Sequence, residues 1–122
     1  MNKAPDIFLK NASYLDIETE ELRRGDILIR HGKIIKIAPG LESGQNTLTV
    51  NCSGSFVIPS LFDMHVHLNS SEMLDLFIAN GVTGVRNMWG YPLHLEWKKQ
   101  IEAAALTGPY VFSTGPLTDG VM

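Results

Sequence analysis

Residues 58–68 read Ile58-Pro59-Ser60-Leu61-Phe62-Asp63-Met64-His65-Val66-His67-Leu68, and the reading of this stretch decides the fold. Side chains alternate across a β-strand, so Leu61, Asp63, His65 and His67 are expected on one face and Phe62, Met64, Val66 and Leu68 on the other. In a parallel βα architecture helices cover the apolar face, which turns the histidine face to the opposite side, the lumen if the strands close into a barrel. Two residues apart on one strand, the histidine Cβ atoms lie roughly 6 to 7 Å from each other. Their imidazoles can converge on one ion at about 2.0 to 2.1 Å, the usual zinc–nitrogen distance. Asp63 falls on the same face, where a carboxylate can orient a ligand histidine. By itself His-x-His on a strand is weak evidence, and a half-exposed strand with a polar outer face accounts for it more readily.

Upstream of Pro59 the chain reads as short strands, with β-rich runs punctuated by Gly, Asn and Ser and no helical period. Ile7–Leu9 is one candidate. Asp26–Arg30 and Lys33–Ala38 flank His31-Gly32, a two-residue loop in which glycine supplies the positive φ of a hairpin turn. Thr47–Asn51 and Ser55–Ile58 flank Cys52-Ser53-Gly54, which suggests a second small hairpin before Pro59 stops the pairing. Together these predict a small β-sandwich or open sheet over residues 1–59.

Downstream the grammar changes to strands alternating with amphipathic segments of helical length, as in βαβ units. After the strand Leu61–Leu68, a helix is predicted over Ser71–Asn80, with Leu74, Phe77 and Ile78 on one face and Gly81 ending it. Val82–Met88 is a second strand. Pro92 opens another helix, whose expected buried stripe is Leu93, Trp97, Ile101 and Ala105, and His94 in its first turn is expected on the surface. Gly108-Pro109 ends that helix, Tyr110–Ser113 is a third strand, and the tail TGPLTDGVM brings no closing element.

The segment GDILIRHGKIIKIAP, followed by LTVNCSGSFVIPSLFDMHVHL, resembles the amidohydrolase superfamily. In that family a small β-domain leads into a (β/α)8 barrel whose first strand carries Pro-Gly-x-x-Asp-x-His-x-His. The motif stands here as Pro59-Ser60-Leu61-Phe62-Asp63-Met64-His65-Val66-His67, with Ser60 in place of the glycine. ANGVTGVRNMWG and GPYVFSTGPLTDG resemble the second and third strands of the imidazolonepropionase and Xaa-Pro dipeptidase-like branch, which often has Asp where Asn87 stands, after an Arg matching Arg86. The resemblance implies an α/β fold, with a small N-terminal β-sandwich domain over 1–59 and the βαβαβ start of a TIM-type barrel over 60–122. It implies His65 and His67 as ligands of a divalent metal, expected to be zinc, with one or two ions in the full enzyme. Asp63 stands beside them. The same resemblance makes Arg86 and Asn87 pocket candidates, and because barrel sites lie at the C-terminal ends of strands, Asn69, Asn87, Met88 and Ser113–Gly115 are expected on the same face as His67.

The implied reaction is hydrolysis of a carbon–nitrogen bond in an amide, lactam or dipeptide-like small molecule, by water activated on the metal. Family members draw further ligands from later strands: a carboxylated lysine or Glu, two histidines and an aspartate. A catalytic zinc takes about three protein ligands plus water, and such a barrel about 250 residues. With two ligands and three barrel strands, this chain is expected to be an N-terminal fragment without turnover of its own, and no catalytic residue is assigned. The alternative is a non-catalytic module that associates with itself or binds metal; three parallel strands would leave an edge unpaired, which weighs against it unless self-association covers that edge.

Composition narrows the class. The 122 residues are 44% hydrophobic and 19% charged with net charge -3, ordinary for a folded domain and without the basic patch of a nucleic-acid binder. The single cysteine, Cys52, cannot form an internal disulfide, no apolar run approaches a membrane span, and the start lacks a signal-peptide core. A cytoplasmic protein is expected.

Overall fold

Strand β1 (Asp6–Asp16) organises the first half of the chain, because every other strand there except β3 pairs with it directly. The computed structural model describes residues 5–118, in two units, Met1–Pro59 and Ser60–Met122; residues 119–122 of the predicted tail lie outside the described residues. In the first unit β2 (Glu21–Arg30), β3 (Lys33–Ala38), β4 (Thr47–Asn51) and β5 (Phe56–Val57) join β1 in one sheet of order β3-β2-β1-β4, with β5 also on β1. The β2–β3 hairpin turns through His31 and Gly32, both at positive φ (51° and 72°), as a two-residue turn of the right twist requires.

One expectation is corrected here. β4 and β5 do not form a hairpin: both run parallel to β1, Lys10 beside Asn51 and Ser13 beside Phe56. β1 bulges between the two pairings, where Asn11 takes φ 58° and the pairing with β2 shifts between Leu9 and Ala12, and β4 and β5 lie on either side of that bulge. Of the small β-sandwich or open sheet expected, the described residues form one open sheet, with Ala12, Ile27 and Cys52 buried together and Leu9, Tyr14, Ile29 and Val57 packed against them.

Asp26 secures the bulge. Its Oδ1 accepts the Asn11 amide at 2.8 Å and its Oδ2 the Leu41 amide at 3.0 Å. These backbone bonds, that from Asn11 foremost, hold its carboxyl below the usual carboxylate range, against the opposing effect of burial. A carboxyl whose pKa is lowered on folding adds stability that is complete above its unfolded value and fades as pH falls through the folded one. Asp26→Asn is therefore expected to flatten the acid limb of the stability curve below about pH 4, read by urea unfolding at stepped pH; an unchanged acid limb would refute it.

The second unit is β6 (Leu61–Val66), α1 (Glu72–Ala79), β7 (Val82–Asn87), α2 (Pro92–Glu102) and β8 (Tyr110–Ser113), a parallel sheet of order β6-β7-β8 with helical connections. It is mixed α/β. Leu74 of α1 and Trp97 of α2 bury with Val66, Val85 and Val111 of the sheet and with Leu68 just past β6, and Phe77, Val82, Ile101 and Leu106 close the margins. Full burial of an aliphatic side chain of this size contributes about 1.5 to 3 kcal/mol, so this layer dominates the unit's stability. Gly81, at φ 76°, turns the chain out of α1 into β7.

The buried stripe of α2 differs from expectation. Leu93 is 54% exposed and Ala105 lies beyond the helix, whereas His94, 4% exposed, faces inward with Trp97. Trp97 and Ile101 keep the expected face, and His94, three residues before Trp97, joins it in place of Leu93; it is tolerated inside because both its ring nitrogens find partners.

Candidate metal centre

Strict alternation fails in β6, and its failure shapes the site. Phe62 pairs with Gly84 and Asp63 with Val85, but the next matched pair is Val66 with Asn87, one residue out of step. The extra residue is a bulge at Met64 and His65. Its freed backbone groups are taken by side chains: Asp63 Oδ1 accepts the His65 amide at 3.1 Å, and Arg86 Nε donates to the Met64 carbonyl at 2.8 Å. Asp63 thus grips the backbone of His65 and, opposite Val85, does not share the histidine face as alternation required. Phe62 lies over Gly84, away from the helices, so the apolar face expected as Phe62, Met64, Val66 and Leu68 is reduced to Val66 and Leu68.

The two histidines do come together. Their ring centroids are 5.3 Å apart and nearly perpendicular, and both rings are exposed in an open hollow of about 390 Å³ with Met88, Trp89 and Thr114–Thr118. His67 Nδ1 lies 3.0 Å from the Met88 carbonyl. A carbonyl can only accept, so Nδ1 carries the hydrogen and Nε2 keeps its lone pair, the arrangement a metal-ligating histidine needs. The pair fits as two ligands of a larger donor set: among the described residues no third His, Cys, Asp or Glu joins them.

The pocket candidates separate. Met88 lines the hollow and supplies the carbonyl to His67. Arg86 is exposed and braces the bulge. Asn69 is exposed, its amide directed at Met73 Sδ at 3.5 Å, and it is not among the residues lining the hollow. Asn87 is corrected outright: it is completely buried on the helix-covered face, with Oδ1 accepting the Leu68 amide at 2.9 Å and Nδ2 facing His94 Nδ1 at 2.9 Å and Ser113 Oγ at 3.2 Å. Its pairing with Val66 turns it inward.

Sequence reasoning missed Trp89. It holds φ 65°, a conformation of the order of 1 kcal/mol or more above normal for a bulky residue, and its ring stands edge-on to His67 with centroids 6.5 Å apart. Thr114 Oγ1 accepts its amide at 3.0 Å and the Gly115 carbonyl accepts that of Gly90 at 2.9 Å, which lock the loop after β7 to the segment after β8. Gly90 is obligatory there, since a Cβ would stand 1.9 Å from the Thr114 carbonyl oxygen. The only local signal was a Trp-Gly pair directly after a strand, which marks a turn and not a side chain's direction.

No protein-family model matches the chain. An adenine deaminase of Desulfatibacillum aliphaticivorans is 36% identical over 85 residues, 66% of this chain and 14% of that protein. Among solved structures, a putative prolidase from Bifidobacterium longum is 26% identical with a TM-score of 0.76, covering 93% of this chain and 31% of that one. A molinate hydrolase has a TM-score of 0.83 at 17% identity, over 96% and 31% respectively, and shows the fold alone. The chain spans about a seventh of the curated relative's length and under a third of the solved structures it matches.

Proposed function

We propose, proceeding from the chain's membership of the amidohydrolase superfamily, of whose enzymes it forms an N-terminal part, that it contributes two metal ligands, His65 and His67, to a hydrolase acting on a carbon–nitrogen bond. The observation that carries this reading is the His67 Nδ1–Met88 carbonyl bond, which leaves Nε2 free beside the neighbouring imidazole. Deaminase and prolidase relatives act at carbon–nitrogen bonds, which supports the reaction class. The bound metal, zinc by the donor set, would supply Lewis acidity and lower the pKa of water.

The chain's own residues bind and orient. His65 is held through its amide by Asp63, His67 through its ring by Met88, and Trp89 forms an apolar wall for a small substrate. Residues 60–122 are read as the βαβαβ opening of a TIM-type barrel, and 1–59 as one half of a composite sandwich. The exposed Phe62, Met64, Tyr110 and Phe112, and the outer edges of β6 and β8, unpaired among the described residues, fit strands supplied by further chain, in sequence or from another copy. Among the described residues no helix is long and apolar enough to cross a membrane.

Turnover then belongs to the completed donor set. Zinc titration of the purified 122-residue chain by calorimetry, with its mass in solution by light scattering, tests this. Weak uptake by a monomer, or tight uptake by a defined oligomer, is expected; no uptake in either state would end the ligand reading.

A further inference from the structure

His94 and Asn87 lie on the helix-covered face, outside the hollow, and the ligand reading makes no use of them. His94 accepts the Tyr91 amide at Nδ1 (2.9 Å), and its Nε2 lies 2.9 Å from the Leu68 carbonyl. An amide can only donate and a carbonyl only accept, so the ring is the Nε2–H tautomer, and Asn87 Nδ2 donates to the same Nδ1. Asn87 Oδ1 meanwhile takes the Leu68 amide. Both backbone polar groups of Leu68, the residue directly after His67, are therefore held by these two side chains.

The other side of the His67 contact is pinned by main-chain bonds that neither side chain makes. Met88, whose carbonyl takes the His67 ring, directly follows Asn87. The Val66 carbonyl accepts its amide at 2.8 Å, and the Asn87 carbonyl accepts the Thr114 amide at 3.0 Å. Apolar side chains of similar shape would fill the space without desolvating three polar groups; what the polar pair adds is a single permitted register of the Leu68 peptide against β7. We infer that His94 and Asn87 are positioning residues for His67, fixing the main chain directly after it so that its ring stays within reach of the Met88 carbonyl and is held with Nε2 free. The inference rests on His67 being a ligand only for its consequence in metal affinity.

Two-bond proton–nitrogen correlation spectra of the ¹⁵N-labelled, metal-free chain at mildly alkaline pH report each imidazole tautomer. The unsubstituted chain is expected to show His67 as Nδ1–H and His94 as Nε2–H. His94→Asn keeps an acceptor near the Tyr91 amide but falls short of the Leu68 carbonyl; His67 should then drift to the Nε2–H form, and zinc affinity should fall about 10- to 100-fold. His94→Gln reaches that carbonyl and should largely restore both. An unchanged His67 tautomer in both variants, or equal loss in both, would make His94 a structural core residue and overturn the proposal. If a variant does not fold, the unsubstituted chain decides: His67 found as Nε2–H overturns it, and the two expected tautomers support it. Both tautomers present without zinc uptake would uphold the positioning and overturn the ligand reading alone.

Discussion

Replacing His65 and His67 together by alanine is expected to strip zinc from any assembled form of this protein that retains it, with metal per chain falling more than about tenfold by plasma emission spectrometry and hydrolysis lost with it. The fold should survive. Both rings are exposed and neither belongs to a buried cluster; the one hydrogen bond lost, from His67 Nδ1 to Met88, contributes about 1 kcal/mol. Far-ultraviolet circular dichroism should therefore be unchanged while the metal disappears, which separates loss of a ligand from loss of structure. His67→Ala should cost more affinity than His65→Ala, because His67 alone has a ring nitrogen held by a partner while His65 is fixed only through its backbone. Metal content equal to that of the unsubstituted protein in the double variant would sink the assignment.

Asn87→Leu should produce the largest loss of stability. Leucine keeps the branching of asparagine but is the larger residue, so overpacking adds to the hydrogen bonding lost at a completely buried position. The Leu68 amide is left without its acceptor, and His94 Nδ1 and Ser113 Oγ each lose a donor. An unsatisfied buried group costs about 1 to 3 kcal/mol, and with the weakened contacts at His94 and Ser113 the total is about 3 to 5 kcal/mol. Set against the 5 to 15 kcal/mol typical of whole proteins, that is enough to melt the second unit well below the first. Urea unfolding followed by Trp97 fluorescence measures it, and a loss under about 1 kcal/mol would show that water reaches the Leu68 amide.

Much of this architecture was legible in the residues alone. The His31-Gly32 turn, the change from strand runs to strand–helix alternation after Pro59, the α1 face built on Leu74, the glycine stop at Gly81 and the proximity of two histidines at i and i+2 are all local properties, written in backbone preference and side-chain period. These require no knowledge of a partner strand. The family resemblance added the expectation of a barrel and of a metal, which periodicity could not supply.

What only the tertiary structure decided are the features that depend on a neighbour far along the chain. The bulge in β6 exists because Asp63 and Arg86 absorb the backbone groups it frees, so the face on which Asp63 falls cannot be counted off from His65. β4 and β5 run parallel to β1 on either side of a bulge at Asn11 held by Asp26, a pairing that no local pattern in either segment reveals. His94 reads as a surface residue in a helical pattern because polarity is a property of the side chain, whereas burial depends on partners supplied by Asn87, Tyr91 and Leu68. The sequence by itself determined which two histidines lie close together on one strand and the mixed α/β class of the unit that bears them. The tertiary structure decided which way each points, because strand register and buried hydrogen bonding are set between segments and not within them.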